Sequence, residues 1–137
     1  MKAIEKAREE GLECVLIIED DVDFADGFFA KLKLIPGFDM LFLNGTDGRR
    51  KNEPFNSEWV KANEVYGAFG YIVNQRFYDK CLDLLSRNDN PVDSVYAMFM
   101  SAYKVYKLRE PLIFHRKGVS DIMGIVPKNY KHLEKIR

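Results

Sequence analysis

Glu19, Asp20, Asp21 and Asp23 put four carboxylates within five positions. They follow directly on Val15-Leu16-Ile17-Ile18, a run of β-favouring aliphatics. Such a run reads as a fully buried central strand. The acids then stand where that strand leaves the sheet, the edge at which open α/β sheets bind ligands. Carboxylates crowded at one strand end repel each other unless protons or a cation offset the charge. A hard divalent cation that also grips phosphates is one solution. Solvated acids that cap the next helix are the other. Side chains alternate along extended backbone, so Glu19 and Asp21 are expected to point one way and Asp20 the other. Asp23 is expected to be a helix N-cap.

The elements that must position these acids follow from periodicity. Ala3 to Glu10 predicts a helix stopped by Gly11. Cys14 to Glu19 is the acidic strand. Phe24 to Leu34 predicts a helix, with Phe24, Phe28, Leu32 and Ile35 on its apolar face and Pro36-Gly37 as its end. Met40 to Leu43 is a short apolar strand. Asn44 to Asn56 is a long polar loop with the basic run Arg49-Arg50-Lys51, a length that favours a functional loop. Trp59 to Val65 alternates as a half-exposed strand, and Phe69 to Val73 is an apolar one. Gln75 to Ser86 and Val92 to Ser101 are helices around the turn Asn88-Asp89-Asn90-Pro91. Val105 to Leu108 and Leu112 to Phe114 are strands. The order predicts an α/β sheet, with an acidic strand that lacks obvious neighbours in the flanking sequence.

Composition narrows the class. The chain has 137 residues, enough for one domain over 1–137 with a core of its own. It is 47% hydrophobic and contains 10 Phe, 7 Tyr and 1 Trp, which excludes disorder. Lys+Arg 21 balances Asp+Glu 21, so charge draws it neither to nucleic acid nor to an anionic membrane. No apolar run approaches the roughly 20 residues of a membrane span, and the charged N-terminus is not a signal peptide. Cys14 and Cys81 fall in apolar segments and read as reduced residues of an intracellular, cytoplasmic protein. Cys/His clusters of the zinc type are absent from the sequence.

In this setting the chain resembles the family 25 glycosyltransferases, the lipooligosaccharide sugar transferases and their collagen galactosyltransferase relatives. Val15-Leu16-Ile17-Ile18-Glu19-Asp20-Asp21-Val22 looks like their acidic motif, and the helix with Ala7 and Gly11 looks like the lead-in to it. Phe38-Asp39-Met40-Leu41-Phe42-Leu43 is similar to the next strand, and Gly67-Ala68-Phe69-Gly70-Tyr71-Ile72-Val73 to the Gly-x-x-x-Tyr strand. Pro91-Val92-Asp93 resembles the Pro-x-Asp helix start. Lys104-Val105-Tyr106, Pro111-Leu112-Ile113 and Ser120-Asp121-Ile122 resemble the C-terminal signature. These motifs occur in family order over nearly the whole chain. The family has a further αβ section before the lead-in helix, so the chain reads as N-terminally short. A natural truncation, a fragment and a degenerate relative all remain open.

The resemblance implies a GT-A-like, truncated Rossmann-like mixed sheet flanked by helices. It implies metal-dependent transfer of a hexose from a UDP-sugar donor to a saccharide or glycoconjugate hydroxyl, with inversion. Manganese or magnesium would bridge the donor diphosphate as a Lewis acid. Asp21 is then the direct metal ligand, and Glu19 and Asp20 belong to the donor site, Glu19 on ribose or a metal-bound water. His115 is either a late third metal ligand or a structural histidine; His132 in the charged tail reads as solvated. Asp93 is either a helix-terminal acid or the base that deprotonates the acceptor hydroxyl, with Asp121 as competitor. Gly67, Ala68 and Gly70 let a sugar approach the backbone or simply pack tightly. Arg49, Arg50 and Lys51 contact phosphates or are solvated.

Other classes fit less of the sequence. A response-regulator receiver also ends its first strand in paired acids, but its phosphoacceptor position would be Asn44, and the interval from Asp20 is too short for the elements a receiver needs. A haloacid-dehalogenase-like phosphatase would match the spacing of Asp21 and Asp23, but Ala25 stands at its next required place. A non-catalytic transferase-like domain would bind a saccharide, or a partner chain through an unpaired sheet edge.

Overall fold

A computed structural model describes residues 1–116. Asp121 and His132 lie outside the described residues, as does the Ser120-Asp121-Ile122 segment. The chain opens with α1 (Lys2–Glu9), whose buried Ile4 and Ala7 face the sheet, and turns at Gly11 with φ +66°. There follow β1 (Cys14–Ile18), β2 (Val22–Phe24), a single helical turn α2 (Phe28–Lys31) and β3 (Met40–Phe42). Short strands β4 (Thr46–Asp47), β5 (Glu53–Pro54), β6 (Trp59–Lys61) and β7 (Val65–Tyr66) precede the long β8 (Gly70–Asn74). Helices α3 (Tyr78–Ser86) and α4 (Val92–Phe99) come next, then β9 (Val105–Leu108) and β10 (Ile113–His115).

The result is a mixed α/β fold with a six-stranded sheet in the order β1-β8-β3-β9-β6-β5. Two-stranded ribbons β2·β10 and β4·β7 sit beside it. β8 is antiparallel to both β1 and β3, and β3 is parallel to β9. β1, β3 and β9 therefore run the same way, and their carboxyl ends share one edge of the sheet. One core lies between the sheet and α1, α3 and α4, with Tyr78, Cys81, Val95 and Tyr96 against Met40, Phe42 and Val73. The other face is covered by α2, the segment up to Phe38 and the β2·β10 ribbon, with Phe28, Val22 and Ile113 against Leu41, Ile72 and Trp59.

Several sequence expectations need correction. β1 is an edge strand, not a buried central one. Leu16 is 36% and Ile18 42% exposed, because among the described residues β1 has a neighbour on one side only. Glu19 N–H donates to Phe69 O at 3.0 Å and Gln75 N–H to Glu13 O at 2.8 Å, so the ladder alternation turns Val15 and Ile17 toward β8. The backbone polar groups of Cys14, Leu16 and Ile18 face outward. The helix expected over Phe24 to Leu34 shrinks to one turn. Phe24 pairs with Ile113 in the ribbon, and Gly27 at φ +70° makes a turn where helix was expected. Phe29 consequently stands 87% exposed. Asp23 caps no helix: it lies in β2 opposite Phe114, and one carboxylate oxygen is 3.4 Å from Arg116 Nε. The Asn44 to Asn56 loop contains β4 and β5. The half-exposed strand expected over Trp59 to Val65 divides into β6 and β7, with Trp59 fully buried.

Candidate metal centre

Three side chains converge at the carboxyl end of β1. One ligand atom from each of Glu19, Asp21 and His115 lies within 4.8 Å of the others. Nδ1 of His115 is 3.6 Å from Oδ2 of Asp21. Asp20, between the two converging acids, is exposed on the turn and outside the cluster. The alternation expected from sequence is therefore present, although the backbone here is a turn between β1 and β2 rather than continued strand.

Each member is positioned by main-chain pairing. Glu19 is fixed by its N–H on Phe69 O, which prolongs the β1·β8 ladder by one residue. Asp21 O accepts Arg116 N–H at 2.7 Å, so the residue after His115 is bonded to the acidic turn itself. His115 stands opposite Val22 in the ribbon. The Phe69 ring packs on its imidazole at 4.1 Å between centroids, with planes at 40°. The start of β10 is held by the buried Asn44, whose side-chain amide donates to Ile113 O at 2.8 Å and accepts from Gly45 N–H at 2.7 Å. A receiver's phosphoacceptor position is thus a buried structural amide, and the acidic strand is at a sheet edge rather than among parallel strands.

The crowding of acids has its electrostatic consequence at Glu19. Lost hydration, then Asp21, Asp93 and Asp20 in falling order, raise the Glu19 carboxyl above its ordinary value of 4.5. Glu19 is nonetheless open to solvent on its outer side, so this is a crowded surface acid rather than an interior one. The donor set of two carboxylates and one imidazole fits manganese and, with less help from the nitrogen, magnesium. Two donors of one such ion lie at most about 4.2 Å apart. Only one pair among three donors can stand opposite across an octahedral ion, and the others lie about 3 Å apart, so the three side chains would have to draw together by up to about 2 Å.

Asp93 belongs to the same neighbourhood. It lies in the first turn of α4 without capping it. Its Oδ2 accepts Gly67 N–H at 3.2 Å and its Oδ1 accepts Ser94 N–H at 2.8 Å. Its charge is felt at Glu19. Two of about four lone-pair positions are thereby used, and the others are open to a hydroxyl donor. Gly67, at φ +88°, supplies the turn that aims its N–H at Asp93. Ala68 is half-buried against the helix-side core. Gly70 is small for packing: a Cβ there would lie 1.7 Å from Ile113 Cδ1, so no space is left for a sugar. In the basic run, Arg50 is a structural tie. It bonds Glu64 through its N–H at 3.1 Å and its Nε at 3.2 Å, and its Nη2 donates to Ala97 O.

Sequence reasoning missed Phe69 as the wall beside His115 and Asn44 as the support of β10. Phe69 had a signal, the flanking Gly67-Ala68 and Gly70 that bring its strand close to β10. Asn44 had none beyond being polar at the end of an apolar strand. No protein-family model matches the chain, and no curated protein matches it.

Proposed function

We propose that the chain is a GT-A-like glycosyltransferase domain that moves a hexose from a UDP-sugar to a saccharide or glycoconjugate hydroxyl. The observation that carries this reading is the convergence of Glu19, Asp21 and His115 at the end of β1 with Asp93 close by. Residues distant in sequence meet there, and they are those the resemblance to family 25 selects. A divalent cation held by Asp21, His115 and Glu19 would offset the charge of the donor diphosphate as the nucleotide leaves.

The remaining work falls to the chain's own groups. Glu19 and Asp21 are presented on one side of the turn, where with His115 they would hold the cation that draws the donor diphosphate to the carboxyl edge. Asp93, anchored by Gly67 N–H, accepts the proton of the acceptor hydroxyl as that oxygen attacks the anomeric carbon from the face opposite the departing phosphate. One carboxylate suffices for inversion, and Asp93 remains anchored through both backbone bonds while it does so. The Phe69 ring shields one face of His115 from water.

The test is transfer from UDP-hexoses to saccharide acceptors, with Asp93→Asn beside the parent chain. The expected outcome is a fall in kcat of about 10²–10⁴ with UDP affinity unchanged. Equal rates in the two chains would remove Asp93 from the mechanism. A second reading draws on the exposed backbone edge of β1, which suits a non-catalytic domain that docks a partner strand. Metal-dependent UDP binding separates the two.

A further inference from the structure

A second concave site lies on the same carboxyl edge, beyond the ends of β3 and β9. It has a volume of about 440 Å³, and Asp47, Lys51, Lys107 and Arg109 are among its lining residues. Arg109 stands just beyond the end of β9, its N–H donating to Glu58 O at 2.9 Å, and Lys107 alternates with Val105 onto one face of that strand. That face is the helix side, to which Val15, Ile17, Val105 and α4 also belong. Lys107 is spanned by Asp47 at 2.7 Å and is largely buried, with its side chain 14% exposed. Arg109 uses its Nε on Asn56 O at 2.9 Å and keeps its other donors. The Lys51 ammonium has no ion-pair partner among the described residues, while the Lys51 carbonyl is pinned by Asn63 Nδ2 at 2.8 Å. Three cations against one carboxylate leave an excess positive charge in a concavity, on a chain whose formal net charge is zero.

The β4·β7 ribbon links this site to the candidate metal centre. Asp47, which holds Lys107, pairs with Val65, and Thr46 pairs with Tyr66. The next residue, Gly67, is the one bonded to Asp93. Three strand spacings separate β1 from β9 in the sheet, about 14 Å, the scale of a short oligosaccharide. We propose that the cavity is an anion subsite, taking a phosphate- or carboxylate-bearing sugar of the acceptor while another hydroxyl of that acceptor lies at Asp93. The acceptor role rests on the transferase reading; the anion chemistry does not.

The test is calorimetric titration of the full chain in EDTA with glucose, glucose 6-phosphate and glucuronic acid. Parent, Lys51→Gln/Arg109→Gln and a charge-matched control, Lys2→Gln/Lys80→Gln, are compared. The expected result is binding of an anionic sugar but not of glucose, weakened about tenfold or more in the cavity variant and unchanged in the control. The tighter of the two anionic sugars identifies phosphate or carboxylate as the recognised group. Equal binding of glucose and both anionic sugars, no binding of any, or equal losses in both variants would overturn the proposal. UDP with manganese is titrated into the same chains. Failure there in the parent, with anionic sugar still bound, would reject the transferase reading and leave the anion site standing.

Discussion

Glu19 is the residue at which the local electrostatics are most exposed to experiment. Lost hydration and the neighbouring acids hold its carboxyl above the ordinary value of 4.5, so the folded chain binds its proton more tightly than the unfolded chain does. The associated stability is complete below that ordinary value and is lost as pH rises through the raised one. Glu19→Gln removes the effect. In urea titrations with EDTA, the advantage of Glu19→Gln over the parent should therefore grow as pH rises above the ordinary value of 4.5. Manganese should narrow the gap at the higher pH by stabilising the parent. An advantage that is the same at every pH would show that the acids around Glu19 impose no net strain. The convergence of Glu19 and Asp21 was expected from alternation along an extended chain, yet it is the turn after β1 that brings the two to one side. The placement of His115 beside them was legible only through resemblance, since nothing local to a histidine after an apolar strand says which strand it will pair with.

Elements were read well where the apolar pattern belongs to a single segment. α1, β3, β8, α3, α4 and β9 lie within a residue or two of expectation, apart from short 3₁₀ turns that begin the α3 region and end the α4 region. The misreadings arise where partners decide. Val15-Leu16-Ile17-Ile18 has the composition of an interior strand yet lies at an edge, a matter of topology that composition does not encode. Leu16→Ala should therefore cost less than about 1 kcal/mol, whereas Ile72→Ala, its cross-strand neighbour, should cost about 2–5 kcal/mol. Similar losses in urea unfolding would place β1 in the interior after all. Phe24 to Leu34 has helical spacing, but β2 takes Phe24 into the ribbon. The ribbon then packs so closely that Ile113 fills the space over Gly70. Gly70→Ala should destabilise by about 1–3 kcal/mol, and the double change with Ile113→Ala should cost less than the sum of the two single losses, because the clash is gone once Ile113 is shortened. Strict additivity of the two would show that the contact is not the cause.

At the scale of the molecule, one edge of the mixed sheet gathers the chemistry. The strand ends carry the acids at β1, Asp93 is brought over by α4, and the cations stand beyond β9. Among the described residues no helix is long and apolar enough to cross a membrane. The sequence could not show that the basic side chains of Lys51, Lys107 and Arg109 would share a cavity, because they come from a loop and a strand whose proximity only the sheet order creates. The proposed transferase chemistry depends on Asp21, Glu19 and His115 forming a divalent-cation site that receives a nucleotide diphosphate. The most direct measurement is titration of manganese, and then UDP, into the parent chain and Asp21→Asn. One manganese site in the parent, UDP binding that EDTA abolishes, and loss of both in a folded Asp21→Asn chain are the expected results. UDP binding that survives EDTA and Asp21→Asn, or a folded parent that binds no manganese, would contradict that chemistry.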